Sequence, residues 1–156
     1  MPRLVKGGKY VYGWSEASSE GRIVVPDEAL ADYNLRPQCK AILLSGSKRS
    51  GGFAITTTAL LRNSRLSVIL DENPQLFRFQ LPEGEIMTIA GKLYCWVTLD
   101  RDGRITLPLE TMKGYGVHPR DLLLLVRGSH LALGFCAKGP LVDEAKKHAS
   151  LAILKG

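Results

Sequence analysis

The sequence predicts a mainly β protein with short helices, α+β in class, built from two copies of one β-β-α-β-β unit and a C-terminal helix. Three observations predict it. Residues 12–53 match residues 94–135 without a gap at 14 of 42 positions, where average composition gives roughly one match in fifteen. Within each copy, apolar and polar residues alternate with the period of half-buried strands. Gly-Arg turns and proline-opened helices punctuate both copies at the same places.

The identities include Tyr12/Tyr94, Trp14/Trp96, Gly21/Gly103, Arg22/Arg104, Ile23/Ile105, Pro26/Pro108, Tyr33/Tyr115, Pro37/Pro119, Gly52/Gly134 and Phe53/Phe135. A match of this kind indicates an internal duplication. Two copies are too few for a solenoid, so the expected geometry is a pair about an approximate two-fold axis. A unit of 42 residues buries too little apolar surface to stand alone, so the copies are expected to share one core.

In chain order, a basic arm leads to a strand at Tyr10 to Trp14, and Ser18 to Gly21 is a turn. Arg22 to Val25 is a strand, and Pro26-Asp27-Glu28 opens a short helix with acids where the helix dipole favours them. Lys40 to Ser45 and Phe53 to Thr58 are strands around a polar turn at Gly46 to Gly52. The second copy repeats this order: a strand at Leu93 to Leu99, a turn at 100–103, and a strand at Arg104 to Leu107. A helix follows at Leu109 to Lys113, then strands at Leu122 to Arg127 and Leu131 to Cys136 around Gly128-Ser129. Between the copies, Arg65 to Leu70 and Gln75 to Leu81 read as strands about Asp71-Glu72-Asn73-Pro74, with a further strand at Glu85 to Ala90. After Gly139-Pro140, Leu141 to Leu154 reads as a packing helix, with Leu141, Ala145, Ala149 and Ala152 near one face. The chain thus divides into 1–58 (first copy and basic arm), 59–92, 93–137 (second copy) and the C-terminal 138–156.

Charge and cysteine usage narrow the function. The net charge is +6, and most of the excess sits in the tails: +3 over residues 1–11 and +2 over 137–156. That balance favours polyanionic partners, although ordinary solubility charge explains it nearly as well. Cys39, Cys95 and Cys136 have no C-x-x-C spacing and read as small buried hydrophobes. His118, His130 and His148 are scattered, so no metal and no cofactor is expected. No 18-residue apolar run exists, so no membrane span is expected. Residues 1–12 carry basic residues without the apolar core of a signal peptide, so a cytoplasmic location is expected.

Catalytic motifs fail on inspection. Gly46-Ser47-Lys48-Arg49-Ser50-Gly51 has the spacing of a phosphate loop, but Gly52-Phe53 stands where Lys and Ser/Thr are required. No nucleophile-and-base pattern and no H-E-x-x-H occurs, so the chain is not expected to be an enzyme.

Asp100-x-x-Gly103-Arg104, the alternation through Ile105 to Pro108, a short helix, and Pro119-x-Asp121 before a hydrophobic strand resemble the AbrB / SpoVT / MazE family. The tandem arrangement is similar to that of MraZ, where two such units share a chain. The resemblance covers 18–53 and 100–135, about half of the chain. The first copy departs from the pattern, with Ser18 for the motif Asp and Cys39 for the Asp before the strand. The 59–92 segment does not resemble that of MraZ.

The resemblance implies hairpins swapped between the two units into one intertwined core, and transcription regulation through double-stranded DNA. It carries the DNA-facing arginine to Arg22 and Arg104, and the preceding acid to Asp100 alone. A β-turn can present a guanidinium to phosphates or a guanine edge, and Asp100 is expected to orient Arg104. The ordinary reading of that pair, a surface ion pair of little worth, is the commoner one for an isolated sequence. Arg101 and Lys113 flank the turn and the helix, and Arg3, Lys6 and Lys9 form the arm; each is a candidate phosphate contact, and solvated charge is at least as common an explanation. Trp14, Trp96, Tyr12 and Tyr94 read as packing residues. Because Ser18 replaces an acid, the two copies are expected to differ in affinity. Nucleoid association would follow from DNA binding, and a homo-oligomer is compatible with it. The rival reading is a protein-interaction module, an oligomerisation scaffold or antitoxin-like partner, which the nearly neutral repeats support.

Overall fold

A computed structural model describes residues 10–127, 129–148 and 151–155. The first copy contains β1 (Tyr10–Glu16), β2 (Arg22–Val24), α1 (Asp27–Asp32), β3 (Lys40–Ser45) and β4 (Phe53–Thr56). The middle segment contains α2 (Thr58–Arg62), α3 (Ser67–Glu72), α4 (Pro74–Phe77) and β5 (Met87–Ile89). The second copy contains β6 (Lys92–Thr98), β7 (Arg104–Thr106), α5 (Leu109–Gly114), β8 (Leu122–Arg127) and β9 (Leu133–Cys136). The chain continues into α6 (Pro140–Ala145) and β10 (Ile153–Lys155). The protein is therefore sheet-dominated with short helices, as the sequence predicts.

Two sheets form. The larger has the order β10-β1-β8-β9-β4-β3-β6-β5, and β2 and β7 make a separate two-stranded ribbon. Each copy pairs β3 with β4, or β8 with β9, as its own hairpin, but its first strand pairs with the other copy: β1 with β8, and β6 with β3. The register obeys the 82-residue shift, since Trp14 faces Leu124 as Trp96 faces Ile42, and Gly13 faces Leu125 as Cys95 faces Leu43. Ile23 pairs with Ile105 and Phe53 with Phe135, so each of these residues meets its own equivalent. The approximate two-fold axis runs through both pairs. The Phe53 and Phe135 rings stack there at 4.7 Å, an arrangement worth about 1 kcal/mol beyond the area it buries.

The main core lies between the inner face of the large sheet and a layer made by the ribbon, α1 and α5. Ile23, Val25, Ile105 and Leu107 from the ribbon and its exits meet Phe53, Ile55, Leu133 and Phe135 from the sheet, with Tyr33 and Tyr115 closing the sides. The outer face of the sheet is covered in two separate places. Leu61, Leu70, Leu76 and Phe77 of α2–α4 pack on Ile42, Tyr94 and Trp96. Val142, Ala145 and Leu151 pack on Val11, Trp14, Leu124 and Val126.

Four sequence expectations are corrected. Arg65 to Leu70 and Gln75 to Leu81 are not strands, because Ser67–Glu72 and Pro74–Phe77 are helical. The apolar run Leu66, Ile69, Leu70 has the i, i+3, i+4 spacing that turns one stripe toward a neighbour. The preceding α2 is capped by the Thr57 side chain, which accepts from Leu60 N, and Pro74 begins α4 where its missing N–H costs nothing. The strand expected at Phe53 to Thr58 stops at Thr56 for the same reason.

The C-terminal helix expected over Leu141 to Leu154 ends at Ala145, and Ile153–Lys155 adds to β1 as a parallel strand. Leu141 and Ala145 do face the core, Ala152 is exposed on the return, and Ala149 lies outside the described residues. The return depends on Gly13. At its φ of +130° a Cβ would sit 2.8 Å from the Ala152 carbonyl oxygen, to which Trp14 N donates at 2.8 Å. The register slips by one residue between Val11 and Gly13, a β-bulge that β6 does not share.

Gly21 has φ +83°, and a Cβ there would lie 2.1 Å from the Leu107 carbonyl oxygen, whereas Gly116 at φ +72° faces open space. Gly116→Ala should therefore cost only the backbone strain, about 1 kcal/mol, and Gly21→Ala about 3 kcal/mol or more. Urea unfolding measures both, and equal losses would contradict the close approach of the two ribbon strands.

Candidate nucleic-acid interface

The ribbon is the element that positions the sequence-nominated arginines. Ile23 and Ile105 are fully buried beneath it, so strand alternation turns Arg22, Val24, Arg104 and Thr106 to the opposite face. Arg22 pairs across the ribbon with Thr106, and Arg104 with Val24. The two arginines thus stand diagonally on one outward face, one from each copy. Neither guanidinium forms an ion pair among the described residues. Both side chains are half-buried, and Arg22 Nε is shielded from solvent without a hydrogen-bond partner.

The turns that lead into the ribbon use the same hydrogen bonds. Gly103 N donates to Asp100 O at 3.2 Å and Asp100 N to Arg104 O at 2.9 Å. Gly21 N donates to Ser18 O at 3.1 Å and Ser18 N to Arg22 O at 2.9 Å. Asp100 Oδ1 accepts from the backbone N–H groups of Asp102 (2.8 Å) and Arg104 (3.0 Å). Ser18 Oγ accepts from the equivalent N–H groups of Glu20 (3.2 Å) and Arg22 (3.0 Å).

Asp100 meets Arg104 through the backbone and not through the guanidinium. Among the described residues its carboxylate makes no ion pair with the Arg104 guanidinium. It fixes the backbone from which Arg104 departs, in the manner of an Asx-turn. Ser18 does the same work without a charge, so its replacement of the motif acid preserves the turn. What distinguishes the two turns is the pair Asp100 and Arg101 where the first copy has Ser18 and Ser19, not the hydrogen bonding of the loop.

The other nominated residues are dispersed. Arg101 is exposed in the second turn beside Asp102, and Lys113 is exposed in the last turn of α5. Arg3, Lys6 and Lys9 lie outside the described residues. Asp121, which the first copy replaces with Cys39, caps its own turn by accepting from His118 N at 2.8 Å. Trp14, Trp96, Tyr12 and Tyr94 are all buried. Among the described residues no group of three or more His, Cys, Asp or Glu is placed to hold a metal ion. No helix among them is long and apolar enough to cross a membrane.

A second polar cluster, not apparent from the sequence, joins the copies beside the core. Asp32 of α1 accepts from the Tyr12 hydroxyl at 2.6 Å and pairs with Arg127 of β8. Arg127 Nε also donates to the Tyr12 hydroxyl at 3.2 Å, and its guanidinium lies 5.1 Å from the Tyr10 ring centre. The repeat gives no hint of this cluster, because the equivalents of Asp32 and Arg127 are Gly114 and Ser45. The Tyr12 hydrogen bond, reinforced by Arg127, holds the Asp32 carboxyl below its ordinary value of 3.8, against the opposing effect of burial. Arg127 is thereby committed to the protein, unlike Arg22 and Arg104.

The chain gives no match to any family model, to curated proteins or to solved structures.

Two outcomes follow from these contacts. Asp100→Ser should keep most of the turn's stability, whereas Asp100→Ala should lose about 1 kcal/mol; equal losses in chemical denaturation would refute the backbone-holding role. The carboxyl of Asp32 is depressed on folding, so its contribution is present above pH 3.8 and is lost as pH falls through the lower folded value. Asp32→Asn should flatten that part of the acid limb in a series of urea midpoints from acid to neutral pH, and an unchanged limb would remove Asp32 from the linkage.

Proposed function

We propose that this protein is a double-stranded DNA-binding transcription regulator of the AbrB-like type, its two β-β-α-β-β repeats interlocked as swapped hairpins in one core. The observation that carries the reading is the placement of Arg22 and Arg104 on one face of a two-stranded ribbon, symmetrically and, among the described residues, without an ion-pair partner. A guanidinium that is not paired internally keeps its full charge for phosphate oxygens, and its fork also matches the O6 and N7 acceptors of guanine. The hydrogen-bonded turns fix the backbone beneath each arginine, which lowers the ordering cost of contact. A pair related by a two-fold axis suits successive stretches along one face of a duplex. Arg101 and Lys113 would add phosphate contacts at the rim. The protein would then act in the cytoplasm on the nucleoid, without catalysis and without a cofactor.

The charge around the ribbon favours a second reading. Residues 18–22 carry Glu20 against Arg22, and residues 100–104 carry Asp100 and Asp102 against Arg101 and Arg104, so each turn is neutral. A neutral face bearing two arginines also suits a protein partner, since Arg is enriched at interface centres.

Fluorescence anisotropy with the DNA upstream of the protein's own gene, against scrambled DNA, separates the two. A DNA regulator should prefer its own sequence and lose affinity with salt at a log–log slope of about −2 to −4, as two to four phosphate contacts require. Arg22→Gln with Arg104→Gln should abolish the preference in a protein whose circular dichroism is unchanged. Equal, weak binding to both DNAs would refute the regulator reading and favour the protein partner.

A further inference from the structure

Between the two coverings of the outer sheet face, the centre of the sheet is left open. α2–α4 pack over β3 and β6 and reach Ala54 and Ala132, α6 with Leu151 packs over β1, β8 and Cys136 of β9, and a gap remains between the two coverings. A cavity of about 660 Å³ occupies the gap. Its floor is made of Ala54, Ala132 and Gly134, small residues on the outward side of the central strands. Val126 and Leu141 form apolar walls. This is the size of site that encloses a small organic molecule, and such sites combine apolar walls with a few fixed polar groups.

The polar groups stand at one rim. Arg49 comes from the turn between β3 and β4, and Lys138 from the segment before α6. Neither forms an ion pair among the described residues. The rim also carries Glu144, but that carboxylate has Lys147 at 3.9 Å and His148 at 3.8 Å. Two cations and one carboxylate therefore line the rim, an excess of one positive charge.

The rim is fixed before anything binds. Ala137 N and Lys138 N both donate to Ser50 O, at 2.9 and 3.0 Å, which staples the two loops together. Gly139, at φ +102°, lets the Arg49 carbonyl approach to 2.7 Å of where a Cβ would stand.

The amides of the same turn are spent internally. Ser50 N donates to Ser47 Oγ, Gly51 N to Ser47 O and Gly46 N to Gly52 O. A polyphosphate would need free amides in a cradle, and this turn does not offer these three. Two side-chain cations suit a single carboxylate instead.

The geometry points to a binding site for a small apolar carboxylate, its hydrocarbon body over Ala54, Ala132 and Gly134 and its head between Arg49 and Lys138. The site is independent of the ribbon and of whether the ribbon meets DNA.

Isothermal titration of the full chain with decanoate, and with decanol as its neutral counterpart, tests the assignment without any DNA. Decanoate should bind saturably and at least about tenfold more tightly than decanol, the worth of one charge-assisted contact. Arg49→Gln with Lys138→Gln should reduce decanoate to the level of decanol, and Ala132→Trp should abolish binding of both by filling the floor. Circular dichroism identifies any variant that fails to fold. In the unaltered protein, the absence of decanoate binding, or equal binding of acid and alcohol, would overturn the proposal, as would unchanged decanoate affinity in the folded double variant.

Discussion

The pairing of Ile23 with Ile105 is the contact on which the rest of the architecture depends. It joins two three-residue strands, β2 and β7, that have no other strand partner among the described residues. A ribbon this short has little stability of its own. It persists because both isoleucines are fully buried against the sheet, and because the exits from the two strands are tied across the axis. Val25 N donates to Gly103 O at 3.1 Å and Leu107 N to Gly21 O at 2.9 Å. Gly21 lets the strands approach this closely, since a Cβ there would collide with the Leu107 carbonyl, while Gly103 makes room for the Leu30 side chain of α1. Once the isoleucines are fixed inward, period-two geometry leaves the two arginines no place but the outer face.

The same turn is built with two different side chains, and this separates chemistry that the sequence motif merges. Asp100 and Ser18 both supply one oxygen to two backbone N–H groups, so either satisfies the donors that the tight turn would leave unpaired. A carboxylate adds charge to that task but is not required for it. The motif acid therefore reports the need for a local acceptor. The arginines are a separate matter: among the described residues their guanidiniums make no ion pair, so nothing in the turn explains why both copies carry one.

Strands and turns inside the repeat were legible because two independent copies state the same pattern. Lys40–Ser45 and Leu122–Arg127 have the bounds expected from their apolar runs. Legibility failed where only one copy exists. In 59–92, Leu66, Ile69 and Leu70 form a run too short to separate helix from strand by period, and burial against Tyr94 and Trp96 decided it. At the C-terminus, Leu141 to Ala145 begins as a helix, but a parallel strand partner on β1 overrode the continuing pattern. That partner site is created by the bulge at Tyr12–Gly13, 140 residues away in sequence, and no local signal encodes it. The ribbon's outward arginines were visible in the sequence; the Asp32–Tyr12–Arg127 cluster was not, because duplication preserves neither Asp32 nor Arg127.

These unique segments are also where the pseudo-symmetry breaks, and they break it at both ends of the large sheet. A three-residue strand closes each end, β10 beside β1 and β5 beside β6, so the longer strands are not left as open edges. The two coverings differ in kind: three short helices on one side, a single helix with Leu151 on the other. Each meets a tryptophan, Trp96 through a bond from its indole Nε1 to Leu81 O at 2.7 Å, and Trp14 through its backbone N–H to Ala152 O. Because these tryptophans sit on β6 and β1, and not on the axis, the coverings reach only Ala54 of β4 and Cys136 of β9 and do not meet above the central strands. The symmetric inner face and the asymmetric outer face thus follow from one duplication. The shared strands had to keep their register to close the core, while additions outside the core were free to differ, leaving the central strands with small residues and open space above them.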